Sequence, residues 1–294
     1  MRPGRASFTA QVVSFARGLA SLSSPAAATL DDSLARVLLP APLSTALTAA
    51  ALSGRGARLM RRSVDLASGN LIEHMALRTL AIDDAVRESV ALGAKQLVLL
   101  GAGLDTRAHR LDVARELTVF EVDHPDTQRE KRRRIAGHAP SARALHYVPV
   151  DFSRDSLEAA LAAAGHDVNA PTCWIWEGVT MYLPKPAMLA TLAALSRRSA
   201  PTSRLLVTYI DVAAFGGPSA VSRVAQAMFR VLGEPLLGLY EVDEFAGALA
   251  ASSFKLCSDT TTSDWRRRHG VSAPLLRVFD GERLAIAERS RVDG

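Results

Sequence analysis

The chain has 294 residues, of which 48% are hydrophobic and 22% charged, enough apolar material for a sizeable core, which excludes a disordered or collagen-like polymer. Its two cysteines, Cys173 and Cys257, have no neighbouring Cys or His at ligand spacing, so a disulfide framework and a four-ligand zinc site are excluded and no metal is expected. The formal charge of +5 suits an anionic ligand, but lysine occurs only at Lys95, Lys131, Lys185 and Lys255 among 35 basic residues, and an arginine- and alanine-rich composition of this kind reflects GC-rich coding.

The N-terminus carries Arg2, Arg5 and Arg17 and no acid before Asp31, which faintly resembles a transit peptide, but Arg17 interrupts any signal-peptide apolar core. Val37 to Gly54 is uncharged yet contains Pro40, Pro42, Ser44, Thr45, Thr48 and Ser53, so it falls short of a membrane span. A cytoplasmic location and no membrane partner are expected. From Ser7 to about Ala91 apolar residues recur at helical intervals, as in Val12, Val13, Phe15, Ala16 and Leu19, and again in Leu71, Ile72, Met75 and Leu80. They predict an N-terminal helical cover over 1–92. After Gly93 the period changes. Gln96 to Leu100 is a short continuous apolar run that reads as a strand buried on both faces. Similar runs follow at Leu117 to Val122, Ala144 to Val150, Thr172 to Trp176, Leu205 to Ile210, Phe254 to Cys257 and Leu284 to Ala287, with helical patterns such as Ser156 to Ala164 and Lys185 to Arg198 between most of them. This alternation predicts an α/β core over 93–294 with a mostly parallel sheet covered on both faces. Ala213 to Gly238, entered through Gly216-Gly217-Pro218, reads as a helical lid inserted near 213–238, and no linker marks a second independent domain.

The first sheet strand runs into Gly101-Ala102-Gly103-Leu104-Asp105-Thr106-Arg107. Two glycines one residue apart after a buried strand allow a tight turn and close backbone approach to a ligand. The next strand ends in Glu121-Val122-Asp123, about 20 positions beyond the glycines, where a doubly wound fold places a carboxylate for ribose hydroxyls. Together they indicate an adenosine-containing ligand. The third glycine of a dinucleotide site and the Gly-Lys-Ser/Thr loop of a triphosphate site are both missing. S-adenosyl-L-methionine has no phosphate, and Asp123, Gly101, Gly103 and Arg78, a cation in the preceding helix, match its ribose, amino-acid backbone and carboxylate.

On these and further segments the chain resembles the leucine carboxyl methyltransferase-like family, in particular its bacterial branch. The matching segments are Arg78 to Asp84, Gln96 to Arg107, Val119 to Gln128, Val148 to Phe152 and Trp176 to Leu183, and the likeness runs over about residues 7–290. The resemblance implies a Rossmann-like class I methyltransferase fold with a seven-stranded sheet. It also implies Arg78 on the methionine carboxylate, Gly101 against the methionine moiety, Asp123 on the ribose, Asp151 and Phe152 at the adenine, and Glu177 at the amino-acid end near the reacting centre. Asp151 and the following N–H would read acceptor and donor on one base edge, and Glu177 would face a cationic ligand. Methyl transfer needs alignment and water exclusion more than a nucleophilic residue. The expected acceptor is a carboxylate or hydroxyl on a small molecule. If it is a hydroxyl, His124 or Glu177 is placed to act as base, and Tyr182, Tyr209 and the lid are candidates to line its pocket. A nucleic-acid or protein carboxyl methyltransferase and a non-catalytic cofactor-binding protein are the alternatives.

The runs Arg129 to Arg134 and Trp265 to His269 look like nucleic-acid patches, but no aromatics interleave the first, and solvated helix faces are expected. His74, His109, His138, His146 and His166 lack metal spacing, and Asp105 and Arg107 are read as polar supports of the glycine turn. Oligomeric state is not encoded legibly.

Overall fold

A computed structural model describes residues 8–23, 30–152, 154–215, 236–272 and 279–290. Four helices, α1 (Phe8–Ser23), α2 (Ala41–Ala51), α3 (Gly54–Ser68) and α4 (Leu71–Ala91), precede the sheet. Local chemistry sets their limits. The Ser53 side chain accepts from the Gly56 N–H to start α3, and Gly69, in the left-handed conformation at φ 70°, closes it. Ala16, Leu19, Leu30, Leu39 and Leu47 pack with Ile72, Met75 and Ala76 of α4 in one apolar cluster. The later turns of α4 place Leu77, Ile82 and Val86 against the sheet, so α4 serves both layers.

The sheet then builds through β1 (Gln96–Leu100), the short α5 (Arg107–Arg110), β2 (Thr118–Asp123), α6 (Pro125–Ile135), β3 (Ala144–Pro149), α7 (Leu157–Ala163), β4 (Thr172–Trp176), α8 (Lys185–Arg197) and β5 (Arg204–Asp211). After it come β6 (Leu239–Tyr240), the helix Val242–Ala251, β7 (Phe254–Thr261), the helix Thr262–Arg268 and β8 (Glu282–Arg289). The strand order is β3-β2-β1-β4-β5-β8-β7, with β6 beside β5. β1 to β6 pair in parallel, while β8 runs antiparallel between β5 and β7. Successive residues of β1 enter opposite cores, Val98 and Leu100 on one face and Leu97 and Leu99 on the other. That two-sided burial is why the sequence shows a continuous apolar run instead of alternation.

The mostly parallel α/β sheet agrees with expectation, and two details differ. An eighth strand, β6, has two residues, too few to carry a periodicity. β7 and β8 extend beyond their apolar runs, because Ser258 to Thr261 lie half-buried on the edge strand and Glu282 and Arg283 are neutralised by ion pairs. The charge runs are also only partly solvated. Arg129, Arg132 and Arg133 are exposed, but Lys131 turns inward and its Nζ meets Glu121 Oε2 at 2.6 Å. In the second run, Trp265 is buried and Arg266 bridges Glu73 and Asp280, both at 2.9 Å. Among the described residues no helix is long and apolar enough to cross a membrane. Most of the predicted lid, residues 216–235, lies outside the described residues.

Candidate functional site

β1 lies between β2 and β4, so the loops leaving β1 and β4 diverge and open a crevice at the carboxyl ends of the strands, the place where open α/β sheets bind ligands. A cavity of about 500 Å³ occupies it. Gly101 and Gly103 turn the chain there with φ of 65° and 47°, a conformation that side chains other than Gly, Asn and Asp rarely adopt. A Cβ on Gly101 would also sit 2.8 Å from Val179 Cγ2. The turn is pinned to its neighbour, with Ala102 N donating to Val122 O at 3.0 Å. Asp123 completes the link: Oδ2 accepts from the Gly103 N–H and Oδ1 from the His124 N–H. Burial raises the pKa of Asp123, and these two backbone donors work against the rise.

Every residue singled out above as a cofactor or catalytic candidate, namely Arg78, Gly101, Gly103, Asp123, Asp151, Phe152, Glu177 and Tyr182, lines this one cavity. Asp151 and Phe152 follow β3, where Val150 N donates to Asp123 O at 2.9 Å and holds the two strand ends together. Phe152 is 51% exposed at the rim. Tyr182 comes from a short 3-10 turn, Thr180–Tyr182, after β4. Tyr209 does not belong to the site: its hydroxyl donates to Asp259 at 2.6 Å and its ring stacks on Phe245 at 4.1 Å. The Tyr209 side chain is fully buried and is absent from the residues that line the cavity.

Glu177 stands at the centre of a buried charged seam. Oε1 accepts from Arg78 Nε at 2.9 Å and Oε2 from Arg107 Nη1 at 2.7 Å. Burial alone would raise its pKa, but Arg107 and Arg78 outweigh it and hold the carboxyl below the usual range. Glu177 is thus an ionised acceptor, poorly suited to take up a proton near neutral pH. Arg107 also binds Asp83 at 2.7 Å and Asp105 at 2.5 Å, which makes it the polar support of the glycine turn that the sequence suggested. Arg78 Nη1 donates to both Glu282 oxygens, at 2.9 and 3.1 Å. Its Nη2 has no hydrogen-bond partner among the described residues and lies near Gly178 at the cavity wall.

Four further lining residues, Thr9, Ala10, Val13 and Arg17, come from α1. Arg17 donates to Leu104 O at 2.5 Å and pairs with Asp32 at 3.0 Å, so the first helix is clamped onto the glycine turn. The only local signal for it was a basic residue inside an apolar helix. His124 and Leu237 line the cavity as well. No group of three or more His, Cys, Asp or Glu able to hold a metal occurs among the described residues.

A family model described as leucine carboxyl methyltransferase matches residues 10–196. A candidate S-adenosyl-L-methionine-dependent methyltransferase of Streptomyces coelicolor is 35% identical over 241 residues, covering 76% of this chain and 75% of that one. Another, from Mycolicibacterium gilvum, is 38% identical over 169 residues, 56% of this chain and 52% of its own, so the chain spans about half the length of some curated relatives. Among solved structures, a duf574 family protein from Streptomyces avermitilis superposes with a TM-score of 0.61 at 16% identity, over 97% of this chain and 98% of that one. A candidate methyltransferase from Thermobifida fusca gives 0.57 at 16% identity, over 99% and 97%. At such identities the likeness concerns the fold alone.

Proposed function

Because the chain belongs to the leucine carboxyl methyltransferase family, we propose that it is an S-adenosyl-L-methionine-dependent methyltransferase acting on a carboxylate or hydroxyl oxygen of a small molecule. The observation that carries this reading is the gathering of Arg78, Gly101, Gly103, Asp123, Asp151 and Glu177 around one cavity at the strand ends. The donor set fits the cofactor. The glycine turn leaves backbone exposed where a Cβ would intrude, Asp123 is an acid with its turn-side oxygens already oriented, and Arg78 Nη2 is free for a carboxylate.

In this reading Asp123 accepts from the ribose hydroxyls, Asp151 with the Phe152 backbone reads the adenine edge, and Arg78 holds the amino-acid carboxylate. When bound, the cofactor supplies an electrophilic methyl group on a sulfonium. Glu177, kept ionised by its two arginines, balances the ligand's positive charge and orients its amino-acid end. α1 closes over the turn through Arg17 and excludes water. Tyr182 and Leu237 stand at the acceptor side. Proton removal from a hydroxyl acceptor would fall to His124 before Glu177, whose depressed pKa disfavours that role; a carboxylate acceptor needs no base. A nucleic-acid acceptor is the weaker reading, since Lys131 and Arg266 are spent on internal ion pairs and only the remaining arginines of the two runs face solvent. A cytoplasmic location is supported by two unpaired cysteines, Cys173 and Cys257.

Calorimetric titration with S-adenosyl-L-methionine, with NAD as control, tests the reading. Saturable binding is expected, with NAD silent and with affinity reduced about ten- to hundredfold in Asp123→Ala, the loss of charge-assisted hydrogen bonds. No binding to folded wild-type protein would overturn it. A panel of carboxylate and hydroxyl acceptors then decides between the two oxygen types.

A further inference from the structure

We propose that Glu282, on β8, is a positioning residue that holds the guanidinium of Arg78 with one nitrogen open to the cavity, and thereby sets affinity for the amino-acid end of the ligand. The proposal rests on reading the cavity as an S-adenosyl-L-methionine site. Glu282 belongs to none of the motifs that mark the site and does not line the cavity; it reaches Arg78 across a sequence separation of 204. It is nonetheless buried and makes every contact that fixes the arginine's far end.

The argument is one of hydrogen-bond geometry. A guanidinium presents five donors in a planar fork and pairs most readily with a single carboxylate through two parallel bonds. Arg78 does not do this with Glu177. It gives Glu177 only Nε, at 2.9 Å, while Nη1 is drawn to the two oxygens of Glu282 at 2.9 and 3.1 Å. Nη2 is left over at the wall beside Gly178. Without the pull of Glu282, the anion remaining within reach is Glu177, and a two-bond pair with it would take Nη2 out of the cavity and occupy the carboxylate that faces the ligand.

Glu282 is itself held. Its Oε2 lies 2.6 Å from His74 Nε2, and His74 Nδ1 lies 3.0 Å from Thr262 Oγ1. The His74 ring stacks on Phe279 at 4.9 Å. Burial would raise the Glu282 pKa, but Arg78 and the His74 contact hold it down to about 2, so it is an anion across the physiological range. The seam therefore transmits position from β8 and the helix Thr262–Arg268 to a nitrogen on α4.

The test compares two probes that share adenosine and sulfur but differ in the amino-acid tail: S-adenosylhomocysteine, which has it, and 5′-methylthioadenosine, which lacks it. Calorimetry on the full chain is expected to show Glu282→Gln weakening S-adenosylhomocysteine about tenfold or more, with 5′-methylthioadenosine changed less than about twofold. Equal weakening of both probes, or no weakening of either, would overturn the proposal, because a role confined to holding the fold cannot distinguish a tail from its absence. If Glu282→Gln lacks a cooperative unfolding transition, His74→Gln is measured in its place. It leaves the carboxylate but removes its second anchor, and a smaller loss confined to S-adenosylhomocysteine is expected; equal losses again overturn the proposal. Failure of wild-type protein to bind either probe refutes the cofactor reading itself, whereas wild-type binding with unselective variants refutes only the role of Glu282.

Discussion

The two walls of the cavity are built by different means. On the sheet side, β1 and β2 pair in parallel, Ala102 N donates to Val122 O and the Asp123 carboxylate accepts from the Gly103 N–H, so a short stretch of chain determines their geometry. On the cover side, α1 meets the same turn through Arg17, Asp32 and Leu104, an arrangement spanning 87 positions and made of ions taken out of water. The first wall exists wherever the strands pair. The second exists only when buried charges meet their partners, since desolvation is repaid only by good geometry.

Arg107 belongs to the seam under the sheet wall, and breaking it gives the largest expected effect. Arg107→Met would leave Asp105 buried without its ion-pair partner and would remove one partner each from Asp83 and Glu177, which keep Arg110 and Arg78, at a cost of about 3–5 kcal/mol. Urea denaturation measures this directly, and a loss well under 1 kcal/mol would mean that the seam relaxes or admits water. Arg17→Met acts on the other wall. It should cost about 1–3 kcal/mol, the penalty for unsatisfied buried partners, and hydrogen exchange should quicken in α1 while the amides of β1 and β2 stay protected. Strands that loosen together with α1 would show that the walls are one cooperative unit.

The smallest effect is a shape in the pH dependence of stability. Burial lowers the pKa values of His109 and His166 from 6.5 to about 4. Between those values the unfolded chain binds more protons than the folded one, so stability falls as the pH drops from about 6.5 toward 4. Glu282, lowered from 4.5 to about 2, behaves as a depressed acid. Its contribution is intact above about 4.5 and is lost as the pH falls toward 2, together with those of Glu177 and Asp83, which the arginines also depress. Equilibrium unfolding across pH 2–8 should therefore show two descending steps. His166→Gln would flatten the upper one and Glu282→Gln the lower; a single step unaffected by Glu282→Gln would remove the seam as its source.

What could be read from the sequence follows the same division. Gly101 and Asp123 are legible because a buried strand, a tight turn and the next strand's end lie within one local unit. The two-sided burial of β1 and β4 announces itself as nearly continuous apolar runs, and that of β2 as one broken by Glu121, whose charge Lys131 meets. Glu282 was illegible because an acid at the head of a strand looks like the end of an apolar run, and its meaning depends on Arg78 and His74 far away in the chain. Lys131 was hidden among like charges, where only the helical period of α6 and the buried Glu121 opposite explain why this one lysine turns inward. Arg17 carried a weak sign, a charge within an apolar helix, but its partners Asp32 and Leu104 could not be paired with it from spacing alone.

The placement of β8 has a consequence for the order of events during synthesis. This strand comes last in the described chain, yet it enters between β5 and β7 instead of adding to an edge, and it carries Glu282. A nascent chain can thus expose Gly101, Asp123, Asp151 and Glu177 long before the ribosome delivers Glu282, the residue that binds Arg78 Nη1. Parallel pairing of β1 to β5 would already be in place, with β5 offering a bare edge to the solvent. If Glu282 has the role proposed for it, completion of the sheet and competence for the ligand's tail arrive in the same step.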